Sequence, residues 1–158
     1  DPAFAPAHFN LGRALESAGQ FSAAAAAYES ALRYNPKLAD AHVNLGNVLD
    51  RLGRPAEAVP HYETALQLEP DAGDTHAYLG AALLKLKQIA PALDHLKTAL
   101  ELEPARADVW LNLARASQQQ GDLSGARRAA EHALQLKPDF PEALFLLGNL
   151  DASSGDFP

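Results

Sequence analysis

Histidine and asparagine recur along this chain at a fixed interval. The segment AHFNLG at 7–12 returns as AHVNLG at 41–46 and THAYLG at 75–80, and VWLNLA takes its place at 109–114. Imidazoles are the side chains best suited to ligate a metal or to move a proton near neutrality, and an asparagine amide offers both a donor and an acceptor to a bound backbone. Other chemistry is excluded at the outset. The chain has no Cys, so disulfides, thiolate metal sites and Cys nucleophiles are absent. It carries no Gly-rich phosphate loop, no GxSxG elbow and no HExxH zinc motif. Whether the repeated His and Asn are chemistry or geometry depends on the elements that carry them.

Those elements repeat every 34 residues without insertion or deletion, in blocks 5–38, 39–72, 73–106 and 107–140, with a partial fifth block over 141–158. Counting Ala5 as position 1, position 7 is Leu11, Leu45, Leu79, Leu113 and Leu147, and position 20 is Ala24, Ala58, Ala92 and Ala126. Position 32 is Pro36, Pro70, Pro104 and Pro138, and position 8 is Gly12, Gly46, Gly80, Ala114 and Gly148. A period in this range marks a stack of supersecondary units, each burying its apolar face on its neighbours.

The pattern of an aromatic-sized residue, Leu-Gly, Ala, an aromatic, Ala and a closing Pro resembles the tetratricopeptide repeat over nearly the whole chain. The resemblance implies an all-α fold, an α-solenoid of helix-turn-helix units wound into a right-handed superhelix with a concave groove. The residues point the same way. Asp40, Asp74 and Asp108 are placed to cap the first helix of a unit, helix A, and to favour its N-terminal dipole. Gly19, Gly53 and Gly121 suit a left-handed turn at its end. The second helix, helix B, then runs to the closing Pro, which stops it.

Helical spacing divides helix A into two stripes. Positions 4, 7, 8 and 11 should face helix B, with the small residue at position 8 allowing the close approach that Ala at position 20 matches. His8, His42 and His76 share position 4 with Trp110 and Leu144. They are therefore expected to fill space between paired helices. No metal site is expected, because equivalent helices lie about 8–10 Å apart while ligand nitrogens must converge on one ion. His61 and His95 at position 23 and His132 at position 26 are expected to be partly exposed packing residues toward the outer side of helix B, with no triad partner.

The second stripe mixes amides, charges and aromatics. Position 6 holds Asn10, Asn44, Tyr78, Asn112 and Leu146; position 9 holds Arg13, Asn47, Ala81 and Arg115; Phe9 stands at position 5, and Arg51 and Lys85 at position 13. By the resemblance, this stripe lines the groove and holds an extended peptide or a partner segment. The candidate contacts are Phe9, Asn10, Arg13, Asn44, Asn47, Arg51, Tyr78, Lys85, Asn112 and Arg115. The stack is also similar to the repeats of O-linked N-acetylglucosamine transferases, where such an Asn forms a ladder; here the ladder is interrupted at Tyr78 and Leu146. The Lys residues of a carboxylate clamp at positions 2 and 5 are missing, which disfavours chaperone C-termini as ligands.

The expected function is thus a non-catalytic scaffold for a protein or peptide, without cofactor. The alternatives are the substrate-recognition arm of a larger enzyme, such as an O-linked glycosyltransferase, and a self-assembly module joined through open terminal repeats. A net charge of −7 argues against nucleic acid. No run is long and apolar enough to span a membrane. The chain has no Met and opens DPAFAP, so it is expected to be a piece of a longer protein. Its compartment stays open, cytoplasmic being favoured if the parent lacks a signal peptide.

Four departures from the register carry expectations. Pro60 should kink or delay helix B of the second block from its outward face, whereas Pro91 lies in a first turn and is tolerated. Lys87 replaces a turn Gly at a cost of about 1 kcal/mol if it stays left-handed. Trp110 is expected to fill the volume that Ser117 and Ala130 vacate in the fourth block.

Overall fold

The computed structural model describes residues 4–154. Among these residues the chain forms nine α-helices and no strand: α1 (Ala5–Ser17), α2 (Phe21–Tyr34), α3 (Ala39–Arg51), α4 (Pro55–Leu68), α5 (Gly73–Lys85), α6 (Ile89–Leu102), α7 (Ala107–Gln120), α8 (Leu123–Leu136) and α9 (Pro141–Ser154). Each packs on the next in sequence, and α3, α5, α7 and α9 touch one another more lightly in succession. Contacts confined to near neighbours define an all-α solenoid.

Turn chemistry sets the helix-turn-helix units. Gly19, Gly53 and Gly121 have φ of 72°, 74° and 92°, and Lys87 takes the same left-handed place at 62°. The helix starts differ from expectation. Leu38, Ala72 and Arg106 are the N-caps of α3, α5 and α7, with no side-chain cap, and Asp40, Asp74 and Asp108 lie inside the first turn. There a carboxylate complements the exposed amides through the helix dipole rather than by capping. The cap that does form belongs to α8, where Asp122 accepts from the Gly125 amide at 2.8 Å. Pro60 lies exposed within α4, which begins at Pro55 without delay.

The register of helix A on helix B depends on one exchange. A Cβ on Gly12 would stand 2.5 Å from Tyr28 Cε1, on Gly46 2.6 Å from Tyr62 Cε1, and on Gly80 2.7 Å from Leu96 Cγ. The small residue at position 8 therefore makes room chiefly for the ring or branched chain at position 24, rather than for Ala at position 20 alone. In α7 and α8 the pair is Ala114 and Ala130, both fully buried. This exchange, a methyl gained at position 8 against a large side chain lost at position 24, rather than Trp110, balances the fourth unit. Trp110 is only partly buried, and the space above Ser117 stays open as a cleft of about 390 Å³.

Position 7 faces the preceding unit as well as its own helix B. Leu45 and Leu79 are fully buried, whereas Leu11, which has no helix before it among the described residues, is 51% exposed. At the other end Leu144 and Phe145 of α9 are exposed, and nothing lies within 4 Å of a Cβ built on Gly148.

Candidate functional site

The residues proposed from sequence to contact a ligand fall into two groups once their neighbours are known. Asn10, Arg13 and Arg115 are exposed, and Asn44 and Asn112 are half-buried; no ion pair engages either arginine among the described residues. The others are tied into the solenoid. Asn47 accepts from the Tyr62 hydroxyl at 2.8 Å, Lys85 reaches Asp50 at 2.6 Å across consecutive helices A, and Arg51 lies 5.4 Å from the Phe21 ring centre. Phe9 packs on Tyr28 at 5.8 Å between ring centres, and Tyr78 packs on Tyr62 at 6.1 Å. Position 6 thus touches position 24 of the unit before it.

Burial and ion pairs shape the electrostatics here. The Tyr28 hydroxyl donates to Glu16 at 2.8 Å; burial and that carboxylate push its pKa well up, while the Asn44 amide pulls it partly back. Asp50 gives one oxygen to Lys85, while its other oxygen is buried without a donor, which weakens what that ion pair contributes. Arg106 binds Asp108 at 2.8 Å and also Asp74, pinning α5 to α7. These pairs raise the Arg106 pKa, and the same guanidinium holds the Asp108 carboxyl below its usual range. Such partly exposed bridges fix register more than they add stability.

The histidines do more than fill space. His42 Nε2 lies 3.0 Å from the Pro36 carbonyl and its Nδ1 lies 3.1 Å from His61 Nδ1; His76 repeats this with Pro70 at 2.9 Å and His95 at 2.9 Å. A carbonyl only accepts, so Nε2 of His42 and His76 carries the proton, and their Nδ1 accepts from the Nδ1–H of His61 and His95. Trp110 keeps the carbonyl contact, donating Nε1–H to Pro104 at 2.9 Å. Position 4 therefore clips α3, α5 and α7 to the closing Pro of the unit before each, a contact that Leu144 of α9 has no donor to make. His8, with no earlier unit among the described residues, stacks on Tyr34 instead, 5.4 Å between ring centres and 10° apart.

His61 and His95 are partly exposed packing residues, as expected, and what they pack on is the position 4 histidine of the same unit. The signal was available: within the register, His occupies both positions in the second and third blocks, and in the fourth both have changed, to Trp110 and Ala129. Half-burial lowers the pKa of His61 and His95, and the facing His42 and His76 lower it further. Among the described residues no three His, Cys, Asp or Glu side chains converge as a metal site would require. No helix there is long and apolar enough to cross a membrane.

Comparison with known proteins agrees with this geometry. Tetratricopeptide repeat family models match residues 9–73, 44–108 and 107–150. The chain belongs to the tetratricopeptide repeat family. No curated protein sequence matches it. Among solved structures it is similar to MamA residues 41-end from Desulfovibrio magneticus RS-1, with TM-score 0.91 and 24% identity, over 96% of this chain and 86% of that one. It is also similar to YrrB, described as a TPR protein with an unusual peptide-binding site, with TM-score 0.85 and 24% identity over 92% and 75% of the two chains. The first TPR of Spaghetti (RPAP3), bound to an HSP90 peptide, aligns at TM-score 0.72 and 21% identity over 75% and 94%. Family and fold together support a protein-interaction scaffold.

Proposed function

We propose that this chain is a non-catalytic scaffold that holds an extended peptide or partner segment along the helix A stripe carrying Asn10, Asn44 and Asn112. The observation that carries the proposal is the contrast between two kinds of polar residue on that stripe. Arg51 and Lys85 are spent on internal contacts, and Asn47 accepts a hydroxyl that leaves its amide hydrogens to give. Arg13 and Arg115 stand exposed without ion pairs among the described residues, in a chain of net charge −7. Asparagine amides at one register position of the first, second and fourth units suit a ligand read through its backbone, since each offers a donor and an acceptor without regard to the ligand side chain. YrrB and the RPAP3 repeat, both peptide binders by their descriptions, add support by fold alone.

Selection of a peptide ligand from a random display library, followed by titration into wild type and an Asn10→Ala, Asn44→Ala, Asn112→Ala triple variant, tests the reading. Weakening by at least about tenfold is expected if two or more amides bind the backbone. Unchanged affinity in the triple variant would overturn it.

A further inference from the structure

The fourth unit departs from the others on the face of α7 that points away from Asn112 and Arg115, and the departures fall together. Position 11 is Leu15, Leu49 and Leu83 in earlier units but Ser117 here, and position 23, Ala27 in the first unit and His61 and His95 in the next two, is Ala129 here. Both small residues are buried as the floor of the 390 Å³ cleft, which a second lobe of about 280 Å³ adjoins along Lys97 and Trp110. The wall is preset, because Trp110 is held by the Pro104 carbonyl and lies on His132, 4.3 Å between ring centres.

Charge changes at the same place. Position 25 is Glu29, Glu63 and Glu131 elsewhere but Lys97 at this cleft, and position 22 is Asp94 in the unit before but Arg128 here. Both cations are exposed and neither enters an ion pair among the described residues. Lys97 and Arg128 thus rim the larger lobe around its aromatic wall on an acidic chain, while Glu101 lines the outer side of the smaller lobe.

We infer that this cleft is a second binding site, for a large apolar side chain, preferably aromatic, presented by a peptide segment with flanking carboxylates. The volume accepts one such side chain, and its opening to solvent suits an anchor projecting from a longer chain rather than an enclosed small molecule. Lys97 and Arg128 select the flanking charge, which steers the encounter more than it deepens affinity.

Trp110 is the only Trp in the chain, so its fluorescence reports this cleft alone. A blocked tripeptide of phenylalanine between two aspartates should change that emission saturably at or below about 1 mM. The same peptide with two lysines, or with glycine at its centre, should not. Ser117→Leu with Ala129→His installs the side chains found in other units and should weaken binding at least about tenfold while circular dichroism shows the helices kept. Lys97→Glu with Arg128→Asp, which leaves the floor untouched, should remove the preference for aspartate. The asparagine triple variant should bind as wild type does, separating this site from the proposed groove. Equal response to the acidic and basic peptides, undiminished binding in the filled variant, or no response of Trp110 would overturn the inference.

Discussion

Each histidine pair holds one proton between two nitrogens about 3 Å apart, and that geometry makes it sensitive to acid. Adding a proton to His61 or His95 charges a half-buried ring beside another imidazole. Glu29 and Glu57 oppose this at His61, as Asp94 and Glu63 do at His95, but burial and the facing ring prevail and the pKa of both is lowered. The unfolded chain then takes up more protons in the acid range, so the stabilisation is complete above the ordinary value of 6.5 and is lost as pH falls through the depressed folded values. Urea midpoints measured from pH 8 to 5 should drop toward acid. Asn mimics the Nδ1–H donor without titrating, so His61→Asn with His95→Asn should flatten the curve; an equally steep drop in that variant would assign the effect elsewhere. Lys87 makes a separate case, with a side chain held at φ 62°. Lys87→Gly should raise stability by roughly 0.5–1 kcal/mol, relief of left-handed strain exceeding the added freedom of the unfolded chain.

Between paired elements, the same backbone geometry is reached by different side-chain exchanges. The couples are Gly12 with Tyr28, Gly46 with Tyr62, Gly80 with Leu96 and Ala114 with Ala130. Gly46→Ala should cost about 1–3 kcal/mol, because the new methyl meets a ring that is itself 1% exposed and cannot withdraw. In a Tyr62→Ala background the same change reproduces the Ala114 couple, and it should become neutral or stabilising, since Ala favours the helix over Gly by about 1 kcal/mol. A double-mutant cycle by urea unfolding measures this coupling; simple additivity would refute it. The fixed period and the Gly, Ala and Pro positions made the helix order legible in the sequence, since they encode turns and close approaches. Partners across helices were less legible: Gly46 and Tyr62 are joined by a packing register that no local pattern states, and the pairing of His42 with His61 shows only when whole blocks are compared. The same holds for the candidate groove, where Lys85 and Arg51 are candidate ligand contacts by position but Asp50 and Phe21 lie beside them.

At the scale of the whole molecule, identical sequence positions carry different energies, because a solenoid gives each unit only near neighbours. Leu11, Leu45 and Leu79 share position 7, yet the first is 51% exposed and the other two are fully buried. A side chain's contribution is set by what its neighbours remove from water, so consensus identity does not rank these sites. Leu45→Ala and Leu79→Ala should each cost about 2–5 kcal/mol, the range for a buried leucine leaving a cavity. Leu11→Ala should cost under about 1 kcal/mol, as at an exposed site. Both interior changes also remove side chains from the continuous core that includes Leu49, Leu83 and Leu96, so their effect should spread to amides of adjacent helices. Hydrogen exchange then distinguishes the cases: Leu45→Ala should lower protection in α2, α3 and α4 together, whereas Leu11→Ala should loosen α1 alone. Equal costs at Leu11 and Leu45 would mean that α1 is covered in solution by something that buries Leu11 as an interior unit would. That outcome would turn the open first helix, rather than the helix A stripe, into the surface to pursue.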